Sequence, residues 1–434
     1  MHPAHIFIAS FCSIVSAALI ASRSCCIAAR IGVRSSSLVD ASASVALLPP
    51  WVAEAPPSIV DGLFQNLGPT SVGPSFLENG ARLALRVLNP PRRHQIDFPA
   101  SFGRRFVVCV DTEEEFDWSQ PKRRDANTVE AIRALPVAHA RLKAAGVRPA
   151  YLMDYPIASN PVSIDVVGEL VAARECVIGA QLHPWVNPPF DEAVIGHNSF
   201  PGNLPRALER AKLAMLTDCL EVSFGERPII YRAGRYGVGP NTESILDELG
   251  YRIDCSVRPL FDYSAEEGPS FWHAPAHPYW TGPERKLLEI PSSALFVGHL
   301  RAMGGRLFRL GDRIPHLRGV LARTGLLNRV VLTPEGMPLD ETLRGLRALV
   351  DSGARVFSVA FHSPSVEPGH TPFVRDRADL ALFYAWLDGV FGFFAREGIS
   401  PSTPHDILAV AEYGREEDDC AARTGQAPPA AIAA

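Results

Sequence analysis

The chain has 434 residues, 47% of them hydrophobic and 21% charged, with 38 Pro, 33 Gly and a formal net charge of -5. That length holds one large domain or two ordinary ones around a sizeable core. The basic residues are scattered and form no Lys/Arg-rich stripe, which does not fit an electrostatic binder of nucleic acid and suits a small polar or neutral substrate.

Eight cysteines, at positions 12, 25, 26, 109, 176, 219, 255 and 420, form no CxxC pair. Cys109 and Cys176 sit in apolar runs as small hydrophobes, so nothing in their pattern demands an oxidising compartment. Residues 1–100 lack regular periodicity and carry Pro pairs at 49–50, 56–57 and 90–91, the mark of an extension before a folded core. Within it, IFIASFCSIVSAALIAS (6–22) has the length of a signal-peptide core or a short membrane anchor. Only His2 and His5 flank it on the N-terminal side, while Arg23 and Arg30 follow, which favours an anchor with its C-terminal side in the cytoplasm over a cleaved export signal. A translated leader without structural role is a third reading. All three stay open, with a cytoplasmic or membrane-associated location favoured over export.

From Phe106 onward, apolar runs alternate with helix-like stretches. FVVCV is followed by a helical pattern over 128–145, PAYLMD by 164–173, and CVIGAQLH by 204–220. PIIYRAGR precedes a helix over 242–249; YRIDCSV, KLLEIPSS, a helix over 339–351, RVFSVAFH and a long helix over 377–395 complete the series. This alternation predicts parallel strands in an α/β fold, and six or seven such strands suggest barrel-like closure. The stretch 416–434, acidic and then Ala/Pro-rich, reads as a disordered tail.

Unusual polar residues fall at the C-terminal ends of these strands, where α/β barrels build their sites. Asp111 and Glu113 end the first and, with period two, face the same way. Gln181 and His183 repeat that spacing. Arg232 ends PIIYR, Asp254 and Ser256 lie in YRIDCSV, and His362 ends VFSVAFH. Each has an ordinary explanation alone: a solvated acidic turn, a packed histidine, a structural ion pair. Their arrival at strand ends in order points to one site.

At these residues the sequence resembles the polysaccharide deacetylase (NodB-homology) family, in a branch whose first motif has the form VDTEEEFDW. The likeness runs through VDTEEEFDW (110–118), GAQLHPWVNPP (179–189), NSFPGNLP (198–205), YRAGRYGVGPNT (231–242), IDCSV (253–257) and FHSPSVEPGHTP (361–372). It implies a distorted (β/α)7 barrel over about 101–415. It also implies hydrolytic removal of N-acetyl, less often O-acetyl, groups from a saccharide with a divalent metal: commonly zinc, with cobalt, nickel or manganese as alternatives. A surface or capsular polysaccharide pathway is the expected setting.

Carried over by position, Asp111 matches the catalytic base, Arg232 the arginine that aims it, and His362 the general acid. Glu113 and His183 match metal ligands, with Glu114 competing for the first role. Trp185, Tyr236, Asp254 and His370 are expected at the substrate. The chain departs from the family at Gln181: the branch reads GAHLHPW where this chain has GAQLHPW, and an amide oxygen is a weaker zinc ligand than imidazole. His197 could supply a replacement imidazole. Gln181 also motivates the alternative of a catalytically weak or inactive carbohydrate-binding relative; a hydrolase of the same fold acting on a small non-sugar amide is a further alternative.

Overall fold

A computed structural model describes residues 90–424 apart from 92 and 93; the segment 6–22 and most of the predicted extension lie outside the described residues. The fold is α/β. Strands β1 (Arg104–Thr112), β2 (Ala150–Met153), β3 (Val177–Leu182), β4 (Ile230–Ala233), β5 (Ile253–Asp254), β6 (Tyr279–Thr281) and β7 (Leu287–Glu289) share one sheet with two later strands. Between them in sequence lie β8 (Ala294–Val297) and β9 (Asn328–Val331), which form a separate antiparallel pair. The later strands of the main sheet are β10 (Val356–His362) and β11 (Ile399–Pro401). The sheet order is β10-β1-β2-β3-β4-β5-β7-β6, with β11 on β1. From β10 to β7 it is parallel throughout, and β6 pairs antiparallel with β7.

This sheet curls into a distorted, incompletely closed barrel. Residues 290–335, where the sequence pattern predicts no strand beyond KLLEIPSS, attach to β10. Ala360 N–H donates to Leu332 O at 3.0 Å and Ser358 N–H to Ser293 Oγ at 2.9 Å.

Pleat alternation sorts the side chains into two layers. Val107 and Cys109 of β1 share an inner cluster with Leu152, Ile230, Ile253, Leu288 and Val356, joined by Ile407 and Leu408 of the last helix. The intervening Phe106, Val108 and Val110 belong to an outer cluster with Tyr151, Phe357 and the buried face of the helix Arg377–Arg396. By length and composition that helix could cross a membrane, but Phe383, Trp386, Leu387 and Phe394 bury its apolar face in the outer core. Phe394 stacks on Phe106 with centroids 4.4 Å apart.

Local signals explain several boundaries. Asp154 accepts from Ile157 N–H and Asn160 from Val162 N–H, so two capped helices, Tyr155–Ser159 and Pro161–Ala172, begin ahead of the single pattern predicted over 164–173. The last helix, Pro404–Thr424, continues past residue 416, where the composition predicts a tail.

Glu209, on the helix Arg206–Phe224, is buried against Thr242, whose hydroxyl donates to it. Burial raises its pKa from 4.5 to about 7. The folded value lies above the unfolded one, so this contribution to stability is full below about pH 4.5 and is lost as pH rises through about 7. Glu209→Gln should therefore match the wild type in urea unfolding near about pH 4 and exceed it by about 1–3 kcal/mol near about pH 8. An equal difference at both pH values contradicts this account.

Candidate active site

The inner layer ends, at the C-terminal mouth of the barrel, in polar residues. Asp111 continues the inward parity of Val107 and Cys109, and Arg232 that of Ile230. Arg232 donates through one terminal nitrogen to Asp111 and through Nε to Cys255 O at 3.0 Å. Burial opposes the charge on Arg232; Asp111, with smaller help from Tyr236, more than offsets it and raises the guanidinium pKa.

On β10, His362 is the register partner of Asp111, and its Nε2 lies 3.7 Å from Asp111 Oδ2. Its Nδ1 is 2.7 Å from Glu335 Oε2, while Glu335 Oε1 accepts from His362 N–H at 3.0 Å and Ser365 Oγ at 2.6 Å. Burial works against the imidazolium, but Glu335 and then Glu113 raise its pKa to about 10.

A second group forms around His183. Glu114, Asp154 and His183 are buried, with ligand atoms within 4.8 Å of one another, close enough to hold a cation. Their atoms are already engaged, however. Glu114 takes His183 Nδ1 and Trp185 Nε1, each at 2.7 Å, and Asp154 takes Glu114 N–H at 2.7 Å and Ile157 N–H at 2.9 Å. Glu114 thereby fixes the His183 tautomer and leaves Nε2 as the free donor atom. Burial lowers the His183 pKa to about 4, keeping the ring neutral.

The cavity side presents different atoms. Glu113 Oε1 and Gln181 Oε1 are buried without a hydrogen-bond partner, and His183 Nε2 lies 3.6 Å from Glu113 Oε2, beyond a good hydrogen bond. Burial pushes the Glu113 pKa well up, and the His362 imidazolium offsets only part of that rise. An unpartnered carboxylate oxygen, an unpartnered amide oxygen and an imidazole nitrogen lining the same cavity suit a divalent cation better than the engaged Glu114 group does.

Asp111, Glu113, Gln181, His183, Arg232, His362, Trp185 and Tyr236 all line one cavity of about 510 Å³. The turn after β4 shapes it. Arg235 and Tyr236 have φ of 55° and 58°, which costs side-chain-bearing residues about 1–2 kcal/mol each. A Cβ on the preceding Gly234 would lie 2.3 Å from Leu182 O and 2.6 Å from His183 Cδ2, so only glycine lets β4 end this close to the His183 ring.

Three expected residues are elsewhere. Asp254 does not line the cavity: Ile253 and Cys255 point inward, so the pleat turns Asp254 outward, where it accepts from Ser256 N–H at 3.0 Å. His370 is outside the cavity lining and lies 3.6 Å from Glu115 Oε2. His197 pairs with Glu267 at the surface and does not replace the missing imidazole. Conversely, Glu335, Lys122 and the buried Lys212 escape sequence reading. Lys212 Nζ donates to the carbonyls of Pro184, Asn187 and Pro189 at 2.6–2.9 Å and pairs with Glu192, pinning the loop that carries Trp185. For Glu335 the available signal was a carboxylate shortly after the apolar run VVL.

The chain's structural neighbours include polysaccharide deacetylases. A protein from Mycobacterium smegmatis assigned as one is 16% identical, with 80% of this chain and 99% of that chain covered and a TM-score of 0.42. Another so assigned, from Pseudomonas aeruginosa PAO1, is 15% identical over 76% of this chain and 96% of that chain, with a TM-score of 0.40. Puue allantoinase is 17% identical over 76% and 95%, with a TM-score of 0.43. No family model and no curated protein matches the sequence.

Because Glu335 supplies the strongest support for the imidazolium, Glu335→Gln should lower the His362 pKa by about 1 unit or more. An NMR titration of the His362 ring reads this directly. An unchanged midpoint would mean that Glu335 only braces the loop.

Proposed function

We propose that the protein is a metal-dependent hydrolase that removes N-acetyl, or less often O-acetyl, groups from a saccharide. The observation carrying this reading is the convergence, in one cavity, of an arginine-bound aspartate, a histidine raised by a glutamate, the unpartnered oxygens Glu113 Oε1 and Gln181 Oε1, and His183 Nε2 at 3.6 Å from Glu113 Oε2. The ordered sequence motifs supply the acyl-sugar class.

Glu113, His183 through Nε2 and Gln181 would hold the cation. Such a cation polarises the acyl carbonyl and acidifies water, lowering the two main obstacles to amide hydrolysis. The protein's own groups do the rest. Asp111, gripped by Arg232, accepts the proton of the attacking water. His362, cationic at neutral pH through Glu335, delivers a proton to the departing amine, since expulsion of an amide anion is prohibitively difficult. Trp185 and Tyr236 form walls that exclude solvent from the developing oxyanion, and burial holds the Tyr236 hydroxyl neutral with its pKa raised to about 12.

Gln181 favours one second reading, a glycan-binding relative with little turnover. Acetate release from N-acetylated oligosaccharides, with zinc, cobalt, nickel or manganese supplied, separates the two. The hydrolase reading expects release, and a fall of about 10²–10⁴-fold in kcat for Asp111→Asn. No acetate from any acetylated saccharide, with binding unaffected by Asp111→Asn, would establish the second reading. Metal analysis adds an independent measure: Gln181→His should raise zinc occupancy by about 10-fold or more at limiting zinc. Equal, stoichiometric zinc in both proteins would show that other residues complete the site.

A further inference from the structure

The charges lining the cavity are unevenly matched. Asp111 is taken up by Arg232, Glu335 by His362, and Arg235 by Glu266. Lys122 and Arg258 also line the cavity, yet neither makes an ion pair among the described residues. Both are held by neutral groups instead. Lys122 Nζ stands 3.2 Å from the centroid of Phe116 and 5.3 Å from that of Trp185. Glu113 and Glu114 act on it only through space, and the reading above commits Glu113 to the cation. The Arg258 guanidinium lies 3.9 Å from the Phe261 centroid and 4.9 Å from that of Tyr236, and donates to Tyr263 Oη at 2.9 Å.

Ring faces and a hydroxyl position a cation without neutralising it, and a partly buried cation left in that state costs free energy. Two hydroxyls are in a similar condition. Ser292 is joined through its N–H to Val257 O at 2.9 Å, next to Arg258 in the chain. Its Oγ is buried in the cavity wall without a partner, and so is that of Ser358. Unsatisfied hydroxyls and an unneutralised guanidinium lining the same cavity are the donors that an oxyanion requires.

We propose that the saccharide is acidic, with carboxylate or phosphate substituents that meet Lys122 and Arg258, with Ser292 and Ser358 as further donors in the same cavity. This inference rests on the deacetylase reading of the same cavity and names its substrate class. Uncharged acetylated saccharides would fill the cavity but leave both cations unmatched.

Binding tests it without turnover, in the full-length Asp111→Asn protein, by the fluorescence of Trp118 and Trp185 in the cavity wall. The probes are an N-acetylated hexuronate-containing oligosaccharide, its carboxyl-reduced neutral counterpart, and a phosphate-substituted N-acetylated oligosaccharide. An acidic probe should bind about 10-fold or more tightly than the neutral one, and whichever acidic probe does so identifies the substituent. Lys122→Met and Arg258→Gln should each lower affinity for that probe about 5–10-fold, far more than for the neutral one, with Lys122→Arg and Arg258→Lys retaining most of the preference. Equal affinity for acidic and neutral probes overturns the inference, as does a preference that survives both substitutions. Acetate release by the wild type decides the underlying reading separately. Equal release from acidic and neutral saccharides would sink the charge inference alone, whereas charge-selective binding with no release from any saccharide would sink only the hydrolase reading.

Discussion

Burying carboxylates at the mouth of a barrel is the constraint on which the site depends. Asp111, Glu113, Glu114, Asp154 and Glu335 are all withdrawn from water there, and burial raises the pKa of Glu113, Glu114 and Asp154. Each is tolerated by a different device. Arg232 compensates Asp111, His362 compensates Glu335, and Asp154 with Glu114 is absorbed by backbone and indole N–H groups. Glu113 feels the His362 imidazolium only through space, and its Oε1 is buried without a hydrogen-bond partner.

The scaffold meets this constraint through register and close approach. Parallel strands with inner parity at 111, 181, 232 and 362 deliver four chemically different side chains to one cavity. Leu182 and His183 could not sit against the end of β4 if Gly234 carried a side chain, and the left-handed pair after it turns Tyr236 over the cavity. Strain in that turn is offset by the surroundings it locks: Arg235 is tied to Ser199 and Glu266, and Tyr236 lies under Arg258.

Much of this was legible in the sequence because strand ends announce themselves. FVVCVD and CVIGAQLH are apolar until a polar residue stops the run, and period two then places Asp111 with Glu113 and Gln181 with His183. Asp254 defeats the same reasoning. A parallel strand is apolar on both faces, so YRIDCSV does not reveal which of its residues points inward. Here the pairing of Ile253 with Leu288 settles it and sends Asp254 outward beside Glu289. Glu114 was indistinguishable from Glu113 by type; only its contacts with His183 and Trp185 separate a ligand's support from a candidate ligand. Glu335 lay in an insert whose short antiparallel strands break the β/α rhythm, and its partnership with His362 is purely tertiary.

The register of β1 with β10 joins Asp111 to His362, residues near opposite ends of the folded domain in sequence. A chain emerging from the ribosome therefore presents Asp111, Glu113, Gln181, His183 and Arg232 long before either His362 or Glu335 exists. Until β10 docks, one flank of β1 is an open strand edge displaying the acidic motif, with His362 still unsynthesised. Assembly order thus decides when the cavity takes shape: the nascent protein holds Asp111, Glu113, Gln181, His183 and Arg232 but gains His362 and Glu335 only when the barrel is nearly complete.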